Sequence, residues 1–133
     1  MSRVAGLAEI VLWVHDMDAA LHFYGDVFGM ELISPAELPN KFLRAGHGAS
    51  GVPEMVVLVP YPDPSFEFPR EKAKRVLHHI AFRVEAKAFD ELELHFMAEG
   101  IEVRTGVHPV LKGARTVYVD DPDGNEVEVI APA

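Results

Sequence analysis

The stretch Thr116-Val-Tyr-Val-Asp-Asp-Pro-Asp-Gly-Asn-Glu-Val-Glu-Val-Ile130 predicts two strands joined by a tight turn. In the turn Asp121-Pro-Asp-Gly124, proline fixes φ at an early position and glycine permits a positive φ. The flanking residues are β-branched and aromatic, as strands prefer. Glu128 stands between two valines, and successive side chains of a strand point to opposite faces. If the valines pack inward, Glu128 faces either water or a functional site.

Length and composition predict one soluble globular domain that binds neither nucleic acid nor a membrane. The chain has 133 residues, 49% of them hydrophobic and 25% charged, and its formal net charge is -9. Phosphate backbones and anionic lipids attract clustered Lys and Arg, so this acidic balance argues against both. We find no signal peptide pattern and no apolar run near the roughly 20 residues that span a bilayer. The lack of cysteine fits a cytoplasmic protein and leaves histidine and carboxylate as metal ligands.

The order of elements repeats along the chain, which predicts two tandem βαβββ modules. The segment Glu9–Val14 aligns without a gap on His79–Val84. Between the two repeats lies Pro60–Pro69, where four prolines in ten residues predict a linker. We expect one α+β domain over 1–133, with modules at about 5–60 and 76–131 and a linker at about 60–70. Such modules would form one curved, cup-shaped mixed β-sheet with the helices on its outside.

Local patterns predict where the individual helices and strands lie. Asp16 or Asp18 can cap a first helix that begins near Ala19 and ends at Gly29, and Phe89–Glu99 predicts the second helix. Alternating or β-branched segments predict strands at 8–14, 31–34, 41–45, 54–59, 77–84, 101–104, 115–119 and 126–130.

Strand alternation places several polar side chains on the concave face of the predicted sheet. The apolar sides of the two repeat strands should pack on the helices, which leaves Glu9 and His79 on the concave face at equivalent positions of the repeat. The same argument places Glu128 and Tyr118 there. One imidazole and two carboxylates suit one divalent ion of Fe, Mn, Zn, Ni or Co, with coordination positions left open for a substrate.

Two more side chains on this face are candidates for substrate binding. Trp13 would form a wall against a planar substrate, and Arg83 would anchor an anion, although packing and surface pairing account for both equally well. His78 is adjacent to His79, so alternation predicts that it faces the other way in a structural role.

The chain resembles the vicinal oxygen chelate superfamily over nearly its whole length. This superfamily includes glyoxalase I, bleomycin-resistance proteins, fosfomycin-resistance enzymes, methylmalonyl-CoA epimerases and extradiol ring-cleaving dioxygenases. The resemblance rests on Val14-His-Asp-Met-Asp18, Phe23-Tyr24, Phe28-Gly-Met-Glu-Leu32, Leu77-His-His-Ile-Ala-Phe82 and Tyr118-Val-Asp-Asp-Pro-Asp-Gly-Asn-Glu-Val-Glu128.

The resemblance implies a set of metal ligands. The metal positions of the superfamily fall on Glu9, His79 and Glu128, and Glu9 is a departure because His or Gln is commoner there. Members similar to glyoxalase I have a fourth, acidic ligand on the last strand of the first module. Here that position falls on Val56 or Val57, unless the register slips and Glu54 serves, which weighs against a glyoxalase I activity.

The end of the chain is similar to the extradiol dioxygenase signature. That pattern has a His shortly after a Gly, then a Tyr, an acidic turn and the ligand Glu, and Gly106-Val-His108 and Tyr118 match its first part. The resemblance implies that Tyr118 hydrogen-bonds the metal-bound substrate oxygen and that His108 closes over the substrate as a donor. The gap from His108 to Tyr118 is slightly longer than usual.

The expected function is therefore a metal-dependent enzyme that chelates two adjacent oxygens of a small substrate, with extradiol-type dioxygenase as the first choice. One alternative is a proton-transfer enzyme similar to glyoxalase I or an epimerase. Another is a metal-free drug-binding protein similar to bleomycin-resistance proteins, in which Trp13 would stack on an aromatic or cationic drug. A third is a stress or regulatory protein that keeps the fold without chemistry. Superfamily members also pair modules between chains, which implies a homodimer.

Overall fold

The computed structural model describes residues 1–133 and divides them into two compact units, Met1–Phe66 and Glu67–Ala133. Each unit has one four-stranded mixed sheet and follows the order β-α-β-β-β, as the repeat predicts. The α+β class and the two tandem modules are thus confirmed, and the hydrogen bonds between strands define two four-stranded sheets. No helix combines the length and the apolar character needed to cross a membrane.

The first unit contains strands β1 to β4 and a short helix α1. The sheet has the order β1-β4-β3-β2, in which β1 and β4 are parallel and the other neighbours are antiparallel. The strands predicted at 41–45 and 54–59 are longer than expected, and they continue towards each other to a tight turn at residues 50 and 51. The elements are β1 Glu9–Val14, α1 Met17–Leu21, β2 Glu31–Leu32, β3 Lys41–Ala49 and β4 Val52–Pro60.

The first helix begins where the sequence predicts and then widens. The Asp16 side chain caps it by accepting a hydrogen bond from the Ala19 backbone N–H at 3.1 Å. Residues His22–Val27 continue as a π-helix, in which the Phe28 N–H donates to the Phe23 carbonyl five residues earlier. This wider turn lies where aromatic side chains are packed into the core of the unit.

The second unit repeats this topology with strands β5 to β8 and helix α2. Its sheet has the order β5-β8-β7-β6, again with a parallel pair of the first and last strands, β5 and β8. The fifth strand begins at Ile80, later than predicted, so His79 precedes the strand. The elements are a 3₁₀ turn Lys72–Lys74, β5 Ile80–Arg83, α2 Ala86–Ala98, β6 Arg104–Gly106, β7 Arg115–Asp120 and β8 Glu126–Ala131.

The turn between β7 and β8 is held by one buried carboxylate. Asp121 Oδ1 accepts hydrogen bonds from the backbone N–H groups of Asp123 and Asn125, at 2.9 and 2.8 Å, and its Oδ2 accepts from the Asn125 side chain. Gly124 adopts a φ of 84°, which an L side chain rarely adopts. Arg75 donates to the Asn125 side chain at 2.7 Å. The turn therefore fixes the register of the two strands that carry Tyr118 and Glu128.

Candidate functional site

The register of the second sheet assembles three of the predicted site residues. Glu128 of β8 lies directly between Ala81 of β5 and Tyr118 of β7. Directly opposed residues point to the same face of a sheet. Val127 and Val129 are fully buried on the other face, as expected if they form the core. The ring of His79, two residues before Ala81, lies 6.0 Å from the ring of Tyr118.

The centre of the site is a contact between His79 and Glu128. Nε2 of His79 lies 3.0 Å from Oε1 of Glu128, and only 3% of Glu128 is exposed. The second carboxylate oxygen, Oε2, is buried and makes no hydrogen bond. Buried carboxylate oxygens are normally satisfied, because leaving one unpaired is costly. An imidazole and a buried carboxylate with an open oxygen fit the donor set of a divalent metal ion.

The prediction that His78 faces away from the site is wrong. Its Nδ1 lies 2.7 Å from Nδ1 of His79, and the ring centroids are 5.0 Å apart. Face alternation holds only within a strand, and both histidines precede the start of β5 at Ile80. In this contact one ring nitrogen donates and the other accepts, so the pair fixes the two tautomers relative to each other.

A second carboxylate, Glu126, lies beside the histidines and was not identified from the sequence. Ligand atoms of His78, His79 and Glu126 all lie within 4.8 Å of one another. Glu126 is already paired, however, with the Lys72 Nζ at 2.5 Å and the Arg104 guanidinium at 3.1 Å. Burial tends to raise the pKa of Glu126, but these two cations outweigh it and hold that pKa below its ordinary value.

The sequence did contain one indication that Glu126 lies beside the site, namely its spacing of two residues from Glu128. Residues two apart on one strand share a face, so β8 presents both carboxylates on the same side. Glu128 differs from Glu126 in having no Lys or Arg within ion-pair distance, only the His79 imidazole, and one open oxygen. Of the two, Glu128 is therefore the carboxylate that is free to bind an added cation.

Tyr118 is held as a protonated phenol at neutral pH. Burial raises its pKa above the ordinary value, and the negative charge of Glu128 acts in the same direction, against a smaller lowering by Thr116. The ring lies against Gly106 of the neighbouring strand β6, where a Cβ would come within 2.6 Å of the ring atom Cε2. Gly106 is thus a second residue that sequence reasoning missed, although it stands in the Gly-Val-His motif.

We expect Gly106→Ala to displace the Tyr118 ring and to lower the unfolding free energy by about 1–3 kcal/mol, as overpacking does. The displaced ring should titrate at a pH different from that of the wild type, which an alkaline absorbance titration measures. Gly6→Ala is the control, since a Cβ there would meet nothing within 4 Å. An unchanged Tyr118 titration in Gly106→Ala would show that Gly106 does not determine the position of the Tyr118 ring.

His108 is tied to its own loop in the structure. Its Nδ1 accepts hydrogen bonds from the backbone N–H groups of Val110 and Leu111, at 3.1 and 3.0 Å. No hydrogen bond joins it to His79, Glu128 or Tyr118. Only its Nε2 remains available to a substrate.

The first unit places Glu9 and Trp13 on the exposed face of β1. Glu9 is exposed opposite Met55, and Trp13 is 52% exposed and packs edge-on against Tyr61 with ring centroids 5.1 Å apart. Leu12 and Val14 are buried on the other face, so the predicted alternation holds along this strand.

The repeat also identifies the residue of the first unit that corresponds to Glu128. Ala81 is paired with Glu128, and at the equivalent position Val11 is paired with Val57. Val57 is buried and apolar, whereas the Glu54 side chain lies against Gly46. The first unit therefore has no carboxylate at the position equivalent to Glu128.

A family model for the Glyoxalase/Bleomycin resistance protein/Dioxygenase superfamily matches residues 6–129. The chain therefore belongs to this superfamily, in agreement with its two βαβββ units and its His79–Glu128 contact.

Solved structures of other proteins share the fold. A glyoxalase/dioxygenase from Nostoc punctiforme has 24% sequence identity and a TM-score of 0.77, with 98% of this chain and 93% of that chain covered. A lactoylglutathione lyase from Agrobacterium tumefaciens has 28% identity and a TM-score of 0.66, with coverages of 98% and 96%. The fosfomycin resistance protein FosX from Listeria monocytogenes has 25% identity and a TM-score of 0.68, with coverages of 98% and 93%.

Proposed function

We propose that the protein is a metal-dependent enzyme that holds two adjacent oxygens of a small substrate on one divalent ion. The observation that carries this proposal is the buried Glu128 carboxylate, with one oxygen 3.0 Å from His79 and the other without a hydrogen bond. A cation would complete the coordination of that open oxygen and remove the cost of an unpaired buried group. Superfamily membership makes such an enzyme the expected use of the site.

The proposed ligands are His79 and Glu128, with Glu9 as a third ligand that remains a prediction from the sequence. Imidazole and carboxylate donors suit Fe(II), Mn(II), Zn(II), Ni(II) or Co(II). A bound ion of this kind would act as a Lewis acid on the oxygens of the substrate. Because His79 immediately precedes β5 and Glu128 lies in the middle of its parallel neighbour β8, the pairing of these two strands holds the two side chains close together.

The other predicted residues would act on the substrate rather than on the metal. Tyr118, protonated at neutral pH, would donate a hydrogen bond to a substrate oxygen near Glu128. His108 would offer its remaining Nε2 from the loop after β6, while Trp13 and Arg83 would contact the body and the charged end of the substrate. These roles favour extradiol-type dioxygenation, since a ring-bearing substrate uses both a phenol donor and an aromatic wall.

Two other functions remain as alternatives. Proton transfer of the glyoxalase I type is less well supported, because Val57 stands at the position where the first module would supply a carboxylate. A metal-free drug-binding protein is favoured by one observation, the 52% exposed Trp13 on a strand face that also exposes Val11. An apolar, aromatic face of this kind would stack on a planar ligand without any ion.

We also propose that the protein is a cytoplasmic homodimer. Superfamily members pair modules within or between chains, and this chain contains two βαβββ units. Light scattering of the purified protein measures the mass directly, and a mass of one chain would contradict the dimer.

Metal analysis of the wild-type protein tests the proposed function. Protein purified without chelator should carry about one first-row divalent ion per chain, and dialysis against a chelator should remove it. Fe(II)-loaded protein supplied with dissolved O2, both atoms of which enter the product, should then open the ring of a catechol from a small panel. The absorbance of the ring-opened product measures this reaction. Retention of no metal, together with tight binding of a planar cationic aromatic, would overturn the proposal in favour of the metal-free alternative.

A further inference from the structure

The second unit contains a cavity that no residue of the proposed metal site lines. Its volume is about 630 Å³, within the range of pockets that bind small molecules. It lies at the ends of β5 and β8 and is closed on one side by the loop between β6 and β7. The residues that matter for its chemistry are Arg83, Glu85, Val110, Leu111, Lys112 and Ile130.

Two cations without acidic partners line this cavity. Neither Arg83 nor Lys112 has a carboxylate within ion-pair distance, although Glu85 lines the same cavity. The lining also includes Ala133, so the cavity has no net positive charge, and an anionic group of a ligand would be held by direct contact with the two unpaired cations.

The rest of the lining is apolar and exposes hydrophobic groups. Val110 is 76% exposed and Leu111 is 49% exposed, and the lining also includes the half-buried Ile130 and the buried Ala131. The backbone N–H groups of Val110 and Leu111 are held by the His108 ring, which keeps both side chains in the cavity wall. Exposed apolar side chains around a concavity with few polar groups are typical of a ligand site.

The cavity lies on the same face of the sheet as Glu128. Arg83 is paired with Ile130, which follows Glu128 by two residues on β8. Two residues of a strand span about 7 Å and return to the same face. One small molecule is therefore long enough to reach from the Glu128 position to the Arg83 side chain.

We propose that this cavity binds an apolar small molecule with one anionic group, which Arg83 and Lys112 contact. That this ligand is the substrate rests on the proposed function, whereas its binding to the cavity does not. If it is the substrate, the substrate class is narrowed to aromatic or aliphatic monoanions. Arg83 would form the paired hydrogen bonds to a carboxylate that its planar guanidinium allows, and Lys112 would add a point charge. Val110, Leu111 and Ile130 would contact the apolar body.

Equilibrium dialysis of 2-naphthoate and its neutral analogue 2-naphthamide tests the proposal on chelator-treated protein. We expect 2-naphthoate to bind the wild type at least about tenfold more tightly than 2-naphthamide, and Arg83→Gln or Lys112→Gln to remove about that tenfold preference. Lys87→Gln is the matched control, because Lys87 is an exposed, unpaired cation outside the cavity. Leu111→Ser should weaken both compounds to a similar degree.

Equal binding of the two compounds to the wild type would overturn the proposal, as would an unchanged preference in Arg83→Gln. Failure of either compound to bind at millimolar concentration would overturn it as well. Circular dichroism of each variant shows that the fold is retained. The metal content of the same preparations is measured before chelation, so loss of the charge preference and loss of the metal site are separate results.

Discussion

Glu128→Gln is expected to weaken metal binding by about 100-fold or more and, in the absence of metal, to leave the protein as stable as the wild type or more stable. The change keeps the shape of the side chain but removes its negative charge. In the wild type that charge is buried, with His79 3.0 Å from Oε1 and no hydrogen bond at Oε2. A buried charge that is incompletely paired has a desolvation cost, so its removal is expected to be neutral or stabilising. Mutating a residue that only hydrogen-bonds a metal ligand typically lowers metal affinity by about 10- to 100-fold. Glu128 is proposed as a direct ligand, so its loss should lower the affinity by at least that much.

Thermal unfolding with and without added Mn(II) or Zn(II) separates these two effects. At a metal concentration of 100 times Kd, a site that binds only the folded protein stabilises it by about 2.7 kcal/mol. The wild type should show that gain, and Glu128→Gln should not. Glu102→Gln, at an exposed position outside the sheet, should behave like the wild type. Equal metal-dependent stabilisation of Glu128→Gln and the wild type would rule out Glu128 as a ligand.

Thermal unfolding with and without added metal also distinguishes the proposed ligands from the alternative donor set of His78, His79 and Glu126. If Glu126 bound an ion, the ion would compete with Lys72 and Arg104 for the same carboxylate. The three positive groups would then repel one another in a small volume. Metal binding should therefore survive Glu126→Gln and fail in Glu128→Gln. The reverse result would assign the site to Glu126, with Glu128 acting only to orient the His79 ring.

Much of this site could be predicted from the sequence, because its geometry depends on strand periodicity. The period of two put Glu128 on the face opposite Val127 and Val129, and the repeat put His79 at the start of the strand that is paired with β8. These inferences use only neighbouring residues along a strand. They needed no knowledge of which distant segments meet.

What the sequence could not reveal depends on exact strand ends and on contacts between distant segments. His78 turned towards His79 because β5 begins one residue after His79, and strand ends are the least predictable part of an element. Glu126 is paired with Lys72, which is 54 residues away, so its charge state was not visible in the local pattern. The role of Gly106 was not visible for the same reason, because it leaves room for the ring of Tyr118 on the neighbouring strand.

Tyr118→Phe is expected to lower catechol turnover by the loaded enzyme by about 10²-fold or more while leaving metal content unchanged. A tyrosine is protonated at neutral pH, and burial and Glu128 raise the pKa of Tyr118 further, so the wild type has a hydrogen-bond donor at this position. Phenylalanine keeps the packing against Gly106 and removes only the donor. Tyr61→Phe, in the other unit, is the control for loss of a phenol elsewhere. Full turnover in Tyr118→Phe would exclude Tyr118 as the donor.

The same variant should change how stability depends on alkaline pH, and the sign follows from the raised pKa of Tyr118. An unfolded tyrosine ionises near pH 10, whereas folded Tyr118 keeps its proton to higher pH. Above about pH 10 the unfolded chain therefore binds fewer protons than the folded chain, and stability falls as pH rises. Tyr118→Phe lacks this contribution, so its unfolding free energy should fall less steeply than that of the wild type between about pH 9 and 11. Denaturant unfolding at each pH measures the slope, and parallel curves for the two proteins would show that burial of the phenol contributes nothing to it. A donor that stays protonated throughout the neutral range also predicts that turnover is not limited by Tyr118 ionisation until well into the alkaline range.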